Sequence, residues 1–365
     1  MSIPDLQGRD LDPPRLISWN ITLRCPLKCA HCYVDAQESE PEGVLSTAGA
    51  KEVIDQIADV GSPILVLSGG EPLLREDICE IAAYGTEKGL RMVMGTSGYS
   101  LDEDMALRLK KAGIKAVAIS LDSTDPAIHD RFRGVEGAWE RAVHAIDACN
   151  AAEIPVQINM TVARPVVGEI ESVITYSKSK GVKDYHLFFP VRTGRGEGIS
   201  LSTPEEYEGI IRKVLIRYRN SGLNIRPTCA PQFRRIAEDL GIENPRWGRG
   251  CLAGITYSRI YATGEVTPCP YLTLSAGNLK KTSFADIWYR SELFVKLRDL
   301  DNITGKCSQC TYKAACGGCR ARAYQNPASS PSWCDGLAAP EDKTKTEEIF
   351  GEDPWCSYQP REVIP

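Results

Sequence analysis

Cys25, Cys29 and Cys32 lie within eight residues of one another, and Cys307, Cys310, Cys316 and Cys319 within thirteen. Thiolates at such spacings bind metal. Three from one loop are one short of the four taken by a closed zinc site or a fully ligated [4Fe-4S] cluster. A cluster on Cys25, Cys29 and Cys32 therefore keeps one iron open, whereas a structural zinc loop would have to borrow a donor such as His31. The later group is preceded by Cys229, Cys251 and Cys269 and followed by Cys334 and Cys356. Taken alone, Cys307, Cys310, Cys316 and Cys319 would read as a zinc ribbon.

These residues need a frame, and apolar runs at 17–23, 63–67, 91–95, 116–121, 155–162 and 185–191 supply candidate strands. Helical patterns at 46–60, 77–88, 102–112, 137–153, 168–180 and 204–221 alternate with them, predicting βα units around a buried parallel sheet. Gly61, Gly89, Gly113, Gly181 and Gly222 are expected as left-handed helix caps. Successive units of this kind build either an open doubly wound sheet or a partial barrel, and both place ligands at the strand C-termini. That rim carries the first cysteine loop, Ser68-Gly-Gly-Glu-Pro72, Thr96-Ser-Gly98, Asp122, Gln157-Ile-Asn159 and Arg192-Thr-Gly-Arg195-Gly196. The βα rhythm fails from about residue 224. The expected division is an N-terminal extension (1–16), a βα domain (17–223) and a cysteine-rich domain (224–365). Residues 340–348, charged and weakly hydrophobic, read as an exposed insertion loop. Cys79 and Cys149, on amphipathic helices, read as small buried hydrophobes.

The composition is that of an ordinary soluble protein, with 42% hydrophobic and 25% charged residues. Disorder and fibrous classes are excluded. The first ten residues have acid and proline where a signal peptide would be basic and then apolar, and no apolar run is long enough to span a membrane. The chain is read as cytoplasmic, and in a reducing compartment 14 cysteines favour metal over disulfides. Forty-three bases against 48 acids give a charge of -5, so no bulk field draws the protein to nucleic acid or an anionic membrane. An anionic ligand needs a local cluster of bases.

The Cys25-x3-Cys29-x2-Cys32 loop, Ser68-Gly-Gly-Glu-Pro72 and the six-unit αβ pattern together resemble the radical S-adenosylmethionine (SAM) superfamily. That resemblance implies a partial (β/α)6 barrel and a [4Fe-4S] cluster whose open iron chelates the amino and carboxylate groups of SAM. SAM is then cleaved to methionine and a 5'-deoxyadenosyl radical that abstracts hydrogen from substrate. Gly69, Gly70 and Glu71 would hold the methionine amino group. Thr96, Ser120, Asp122 and Asn159 would complete the cofactor contacts, and an electron donor such as ferredoxin or flavodoxin would supply the reducing electron under anaerobic conditions. The arrangement Cys251-x12-Gly264-x4-Cys269 with Cys307-x2-Cys310-x5-Cys316-x2-Cys319 and Cys356 resembles the SPASM extension, which holds two auxiliary [4Fe-4S] clusters. By this match Cys307, Cys310, Cys316 and Cys356 bind one cluster and Cys251, Cys269 and Cys319 the other. Cys229 is the candidate fourth ligand of the latter, an open iron its rival, and Cys334 the lesser choice for the final ligand of the former.

Within that superfamily, residues 82–94, 129–134, 157–159, 193–196, 228–231, 249–252 and 316–324 resemble the heme synthases of the siroheme-dependent pathway and their relatives in heme d1 synthesis. The implied reaction is oxidative decarboxylation of two propionates of iron-coproporphyrin III to vinyl groups, giving heme b. Removal of acetate or propionate from a siroheme-derived tetrapyrrole is the sibling reading. A peptide maturase is more distant, because only 24 residues precede Cys25 where such enzymes carry a recognition domain. A zinc-stabilised binding module is the non-enzymatic alternative. A tetracarboxylate substrate calls for arginine forks. Arg192, Arg195 and Arg133, with Arg131 nearby, are the candidates. His186 could approach the substrate iron or donate a proton, and Tyr257 and Tyr271 are more simply core residues than platforms for a macrocycle.

Overall fold

Strict alternation along the apolar runs decides which side of each strand is buried. Ile17, Trp19, Leu65, Leu67, Met92, Met94, Val117, Ile119, Ile158, Met160, Tyr185 and Leu187 are almost wholly removed from solvent. Most of their neighbours in sequence, on the other face, are only partly covered, the buried Asn20 being an exception. The computed structural model, which describes residues 3–4, 10–199, 203–325 and 348–360, builds these runs into one ten-stranded sheet. In chain order the strands are β1 (Leu16–Asn20), β2 (Ile64–Ser68), β3 (Arg91–Thr96), β4 (Val117–Ser120) and β5 (Val156–Thr161). They continue as β6 (Asp184–Phe188), β7 (Asn224–Thr228), β8 (Tyr257–Ile260), β9 (Glu265–Thr267) and β10 (Gly277–Asn278). The spatial order is β10-β9-β8-β1-β2-β3-β4-β5-β6-β7, with β8 and β1 to β7 all parallel.

From β1 to β7 each strand lies beside its predecessor. Because parallel crossovers are right-handed, this order puts every crossover helix on one face, and a sheet covered on one face curls toward a barrel. A doubly wound sheet needs a reversal of strand order, which is missing here. The helices are α1 (Thr47–Val60), α2 (Ile78–Glu87), α3 (Glu103–Lys111), α4 (Pro126–Arg133), α5 (Ala138–Ala151), α6 (Ile170–Ser179) and α7 (Pro204–Tyr218). Beyond β7 come α8 (Phe233–Asp239), α9 (Phe284–Arg290), α10 (Glu292–Arg298), α11 (Lys313–Cys316) and α12 (Arg320–Tyr324). No helix among the described residues is long and apolar enough to cross a membrane.

Three features differ from the sequence expectation, one being helix α4, which the sequence reading did not place. The parallel sheet does not stop at six strands: β7 and β8, both beyond residue 223, extend it at opposite edges. Gly61 caps α1 in an extended conformation instead of a left-handed one, and glycine is kept there by crowding, since a Cβ would meet the Pro13 ring at 2.9 Å. The charged stretch at 340–347 and Cys334 lie outside the described residues.

Candidate metal centres and the inner face of the sheet

The first cysteine loop leaves β1 and is clamped by the turn that leaves β2. Gly70 N donates to Thr22 O (2.8 Å) and Glu71 N to Arg24 O (2.7 Å). The approach is so close that a Cβ on Gly69 would stand 2.4 Å from Thr22 O, and one on Gly70 2.2 Å from Arg24 O. Only glycine fits both positions. The loop's two limbs are tied by Cys25 N to Gln37 O (2.8 Å) and Gln37 N to Leu23 O (3.0 Å). The carbonyls of Gly69 and Gly70 accept no hydrogen bond among the described residues.

Glu71 is fully buried, and its carboxylate is already engaged. It accepts from Thr96 Oγ1 (2.7 Å), Ser97 N (2.9 Å), the Ser97 hydroxyl and, at longer range, Leu73 N (3.3 Å). The side chains of Glu71 and Thr96, expected beside a cofactor, thus bind each other and lock the ends of β2 and β3 together. Ser97, which no sequence argument singled out, contributes two of the four donors.

Arg133 and Arg195, expected to contact substrate, are engaged with the cysteine loop, with the Nη2 of Arg195 left without a partner among the described residues. Arg195 Nε donates to Cys29 O (3.0 Å), its Nη1 to Ala36 O (3.0 Å) and Asp35 (2.8 Å), and its own N–H to Cys32 O (3.0 Å). Arg133 lies 4.0 Å from Cys29 Sγ and makes two 2.7 Å contacts with Asp122 Oδ2. Asp122, wholly buried, also accepts from Thr161 N (2.8 Å), and its own N–H donates to His129 Nδ1 (3.2 Å). It is therefore a partner for Arg133, not an open cofactor contact. Burial alone would raise the Asp122 carboxyl, but Arg133, His31, His129 and the Thr161 N–H together hold it below the usual range. Arg131 and Arg192 are exposed.

The thiols of this loop suit iron. Burial pushes Cys25 up to about 12; the Leu27 N–H opposes this, while Glu71, Cys29 and Cys32 add to it. Burial also raises Cys29, with Arg133 opposing. Buried thiols that repel one another ionise together only around a cation. His31 is stacked flat on Phe132 (4.3 Å between centroids, 17°).

The later cysteines fall into two sets. Cys307, Cys310, Cys316 and Cys356 line one cavity with Gln232, Arg235 and Asp353. Cys229, Cys251, Cys269 and Cys319 form the second: burial raises Cys229 to about 12 with Cys319 and Cys251 adding, and burial raises Cys269 further with Cys319, Cys251 and Cys229 adding. Cys229 has a left-handed backbone (φ 58°), strained for a residue with a Cβ. Arg322 Nη1 (2.8 Å) and Tyr207 Oη (3.2 Å) hold its carbonyl. Asp353, buried and unforeseen from sequence, joins the sets by accepting Cys319 N (2.9 Å), Gln232 (2.8 Å), Trp355 N (3.0 Å) and Arg322 Nε (3.0 Å). Gly264 makes the left-handed turn between β8 and β9 that returns the chain to Cys269.

The partly covered face of the sheet presents a register of polar groups. Ser120 pairs with Asn159, Asn159 with His186 and His186 with Arg226. Burial, with Arg226 nearby, holds His186 down to about 3, so its imidazole is neutral near pH 7 and does not donate from the charged form. Tyr257 bonds Ser18 on this face, and Tyr271 packs on Tyr33 (5.3 Å), bridging the two cysteine regions.

Acid sensitivity follows from the buried histidines. Burial lowers His129 to about 4, with Arg133 also lowering and Asp122 opposing. His129 and His186 are neutral when folded, whereas the unfolded chain takes up protons near pH 6.5. Their contribution to stability is complete above that pH and declines toward pH 4, each by up to about 1.4 kcal/mol per pH unit. Anaerobic thermal melts should fall from pH 7 to pH 5; a flat profile would contradict the neutral assignment.

Comparison with known proteins follows the same lines. Residues 19–175 match the radical SAM superfamily, and residues 251–311 match SPASM, an iron-sulfur cluster-binding domain. An AdoMet-dependent heme synthase of Methanosarcina barkeri is 39% identical, over 95% of this chain and 97% of that protein. Another, from Nitratidesulfovibrio vulgaris, is 36% identical over 96% and 94%. The crystal structure of Streptococcus suis SuiB bound to S-adenosylmethionine superposes with a TM-score of 0.73 at 16% identity, covering 94% of this chain and 77% of that one, a likeness of fold.

Proposed function

The chain belongs to the radical SAM superfamily, in the SPASM-bearing branch that includes the AdoMet-dependent heme synthases, and from that premise we propose that it converts two propionates of iron-coproporphyrin III to vinyl groups. It is a radical SAM enzyme of the heme synthase family; its radical SAM domain binds a [4Fe-4S] cluster and SAM, and its SPASM domain binds auxiliary iron–sulfur clusters. The observation that carries the reading is 39% identity sustained along 97% of a heme synthase, through both cysteine regions.

In this reading Cys25, Cys29 and Cys32 hold the first cluster, and the free carbonyls of Gly69 and Gly70 receive the methionine ammonium group. Ser120 and Asn159, adjacent in register, face the remainder of SAM. When reduced and loaded, cluster and SAM supply a radical able to take hydrogen from an unactivated carbon. The chain's part is to position the propionate carbon next to the ring and to keep water away. Each propionate loses one hydrogen atom, CO2 and one electron as its vinyl group forms. The later cysteines would hold an acceptor for that electron: Cys307, Cys310, Cys316 and Cys356 in one set, Cys229, Cys251, Cys269 and Cys319 in the other. Cys310→Ala should accordingly retain some SAM cleavage while forming little vinyl product, as read by chromatography of both products. Full product yield would remove the later cysteines from the reaction.

The experiment that tests the function is anaerobic incubation with iron-coproporphyrin III, SAM and reductant, followed by mass spectrometry of the porphyrin. Loss of two carboxyl groups is expected. An unchanged porphyrin, with SAM cleavage stimulated instead by a peptide or a siroheme-derived tetrapyrrole, would overturn it.

A further inference from the structure

The inner face of the sheet holds a cation that meets no carboxylate among the described residues. Arg226 lies on β7, on the same partly covered face as His186 on β6 and Asn159 on β5. Among the described residues its guanidinium has no hydrogen bond or ion pair, only its carbonyl accepting from Thr228 Oγ1 (3.3 Å), and its ring contact is Phe233, 6.0 Å away. Arg234 comes near enough for the two guanidiniums to oppose each other, and its buried Nε also lacks a partner. Elsewhere in the chain, the more deeply buried Arg133, Arg235 and Arg322 each have a carboxylate within 3.0 Å, whereas Arg259 and Arg320 are held by an amide and by carbonyls. Two guanidiniums gathered without a carboxylate are unfavourable until an anion pairs with them.

Resting on the function proposed above, we infer that Arg226, backed by Arg234, anchors a carboxylate of the substrate on the inner face of the sheet. The placement suits a macrocycle. Ser120 and Arg226 stand three strand spacings apart in one register row, roughly 14 Å, a separation that leaves space between the SAM contacts and the anchor for a ring whose carboxylates lie at its edge. A guanidinium fork binds a carboxylate through two parallel hydrogen bonds, a geometry lysine does not reproduce. Neutral His186, beside Arg226 in register, completes the contact as a hydrogen-bonding group without adding charge. The rival role for Arg226 is counter-charge to an anionic cluster at Cys229, whose thiolate lies within its field.

Binding of iron-coproporphyrin III and of its methyl ester to the cluster-loaded protein, followed by the porphyrin absorbance without SAM or turnover, separates these roles. Arg226→Gln should weaken binding of the acid by about tenfold or more, leave the ester unaffected, and preserve iron content and the electron paramagnetic resonance of the reduced auxiliary clusters. Arg226→Lys should recover part of the loss. Equal affinity of wild type and R226Q for the acid, equal losses for acid and ester, or altered cluster spectra with unaltered binding would overturn the assignment while leaving the proposed function standing. Failure of the wild-type protein to bind the acid at all would overturn both.

Discussion

Cys29→Ala is expected to abolish SAM cleavage and to lower the iron content from about twelve to about eight atoms per chain. Cys29 is the most enclosed thiol of the first loop, with Arg133 at 4.0 Å and its carbonyl pinned by Arg195. No neighbour can take its place: His31 is stacked on Phe132, and Cys25 and Cys32 are needed at their own irons. With two thiolates left, the cluster has no stable seat, and the iron that SAM must reach is lost with it. The later cysteine sets lie on other elements, so their iron should remain. Iron analysis and anaerobic assay of 5'-deoxyadenosine check this, and cleavage at a tenth of the wild-type rate would contradict it.

Gly70→Ala should be nearly as damaging without removing a ligand. The added methyl would stand 2.2 Å from Arg24 O, and both clashing groups belong to backbone fixed by the Glu71 N to Arg24 O bond. The turn must move by the order of an ångström, and displacements of about 1 Å at a reacting centre cost about a hundredfold. The specificity constant for SAM is expected to fall by at least that factor. Gly89→Ala is the control: its φ of 81° is strained for alanine, but a Cβ there meets nothing within 4 Å. It should cost about 1 kcal/mol of stability and leave SAM kinetics unchanged. Wild-type SAM kinetics in G70A would show that the clamp is dispensable.

The helices and central strands were legible because their signals are local: apolar alternation in 91–96 or 156–161, and glycine beside the ends of α2, α3, α6 and α7. The cysteine spacings were legible for the same reason, since one loop supplies each short set. What the sequence concealed is long-range. Nothing near residue 257 announces that β8 will lie beside β1, some 240 residues earlier, and Pro227 obscures β7 as a parallel edge strand. The rim arginines carry no local mark distinguishing a substrate clamp from a structural one. Arg133 binds Asp122 and Arg195 binds the cysteine loop because folding brings α4 and the turn after β6 against it, whereas the Arg226 side chain, inside a strand rather than on a loop, meets no carboxylate among the described residues. Asp353 was invisible, and the role of Ser97 within the rim segment 96–98 unreadable, for a related reason: each matters only through a buried partner supplied by a distant segment.

The most direct measurement uses iron-coproporphyrin III deuterated at the propionate carbons next to the ring, incubated anaerobically with SAM, reductant and the cluster-loaded protein. Deuterium in the recovered 5'-deoxyadenosine, together with vinyl groups on the porphyrin, is the predicted result. SAM cleavage that yields only unlabelled 5'-deoxyadenosine from that mixture would contradict it.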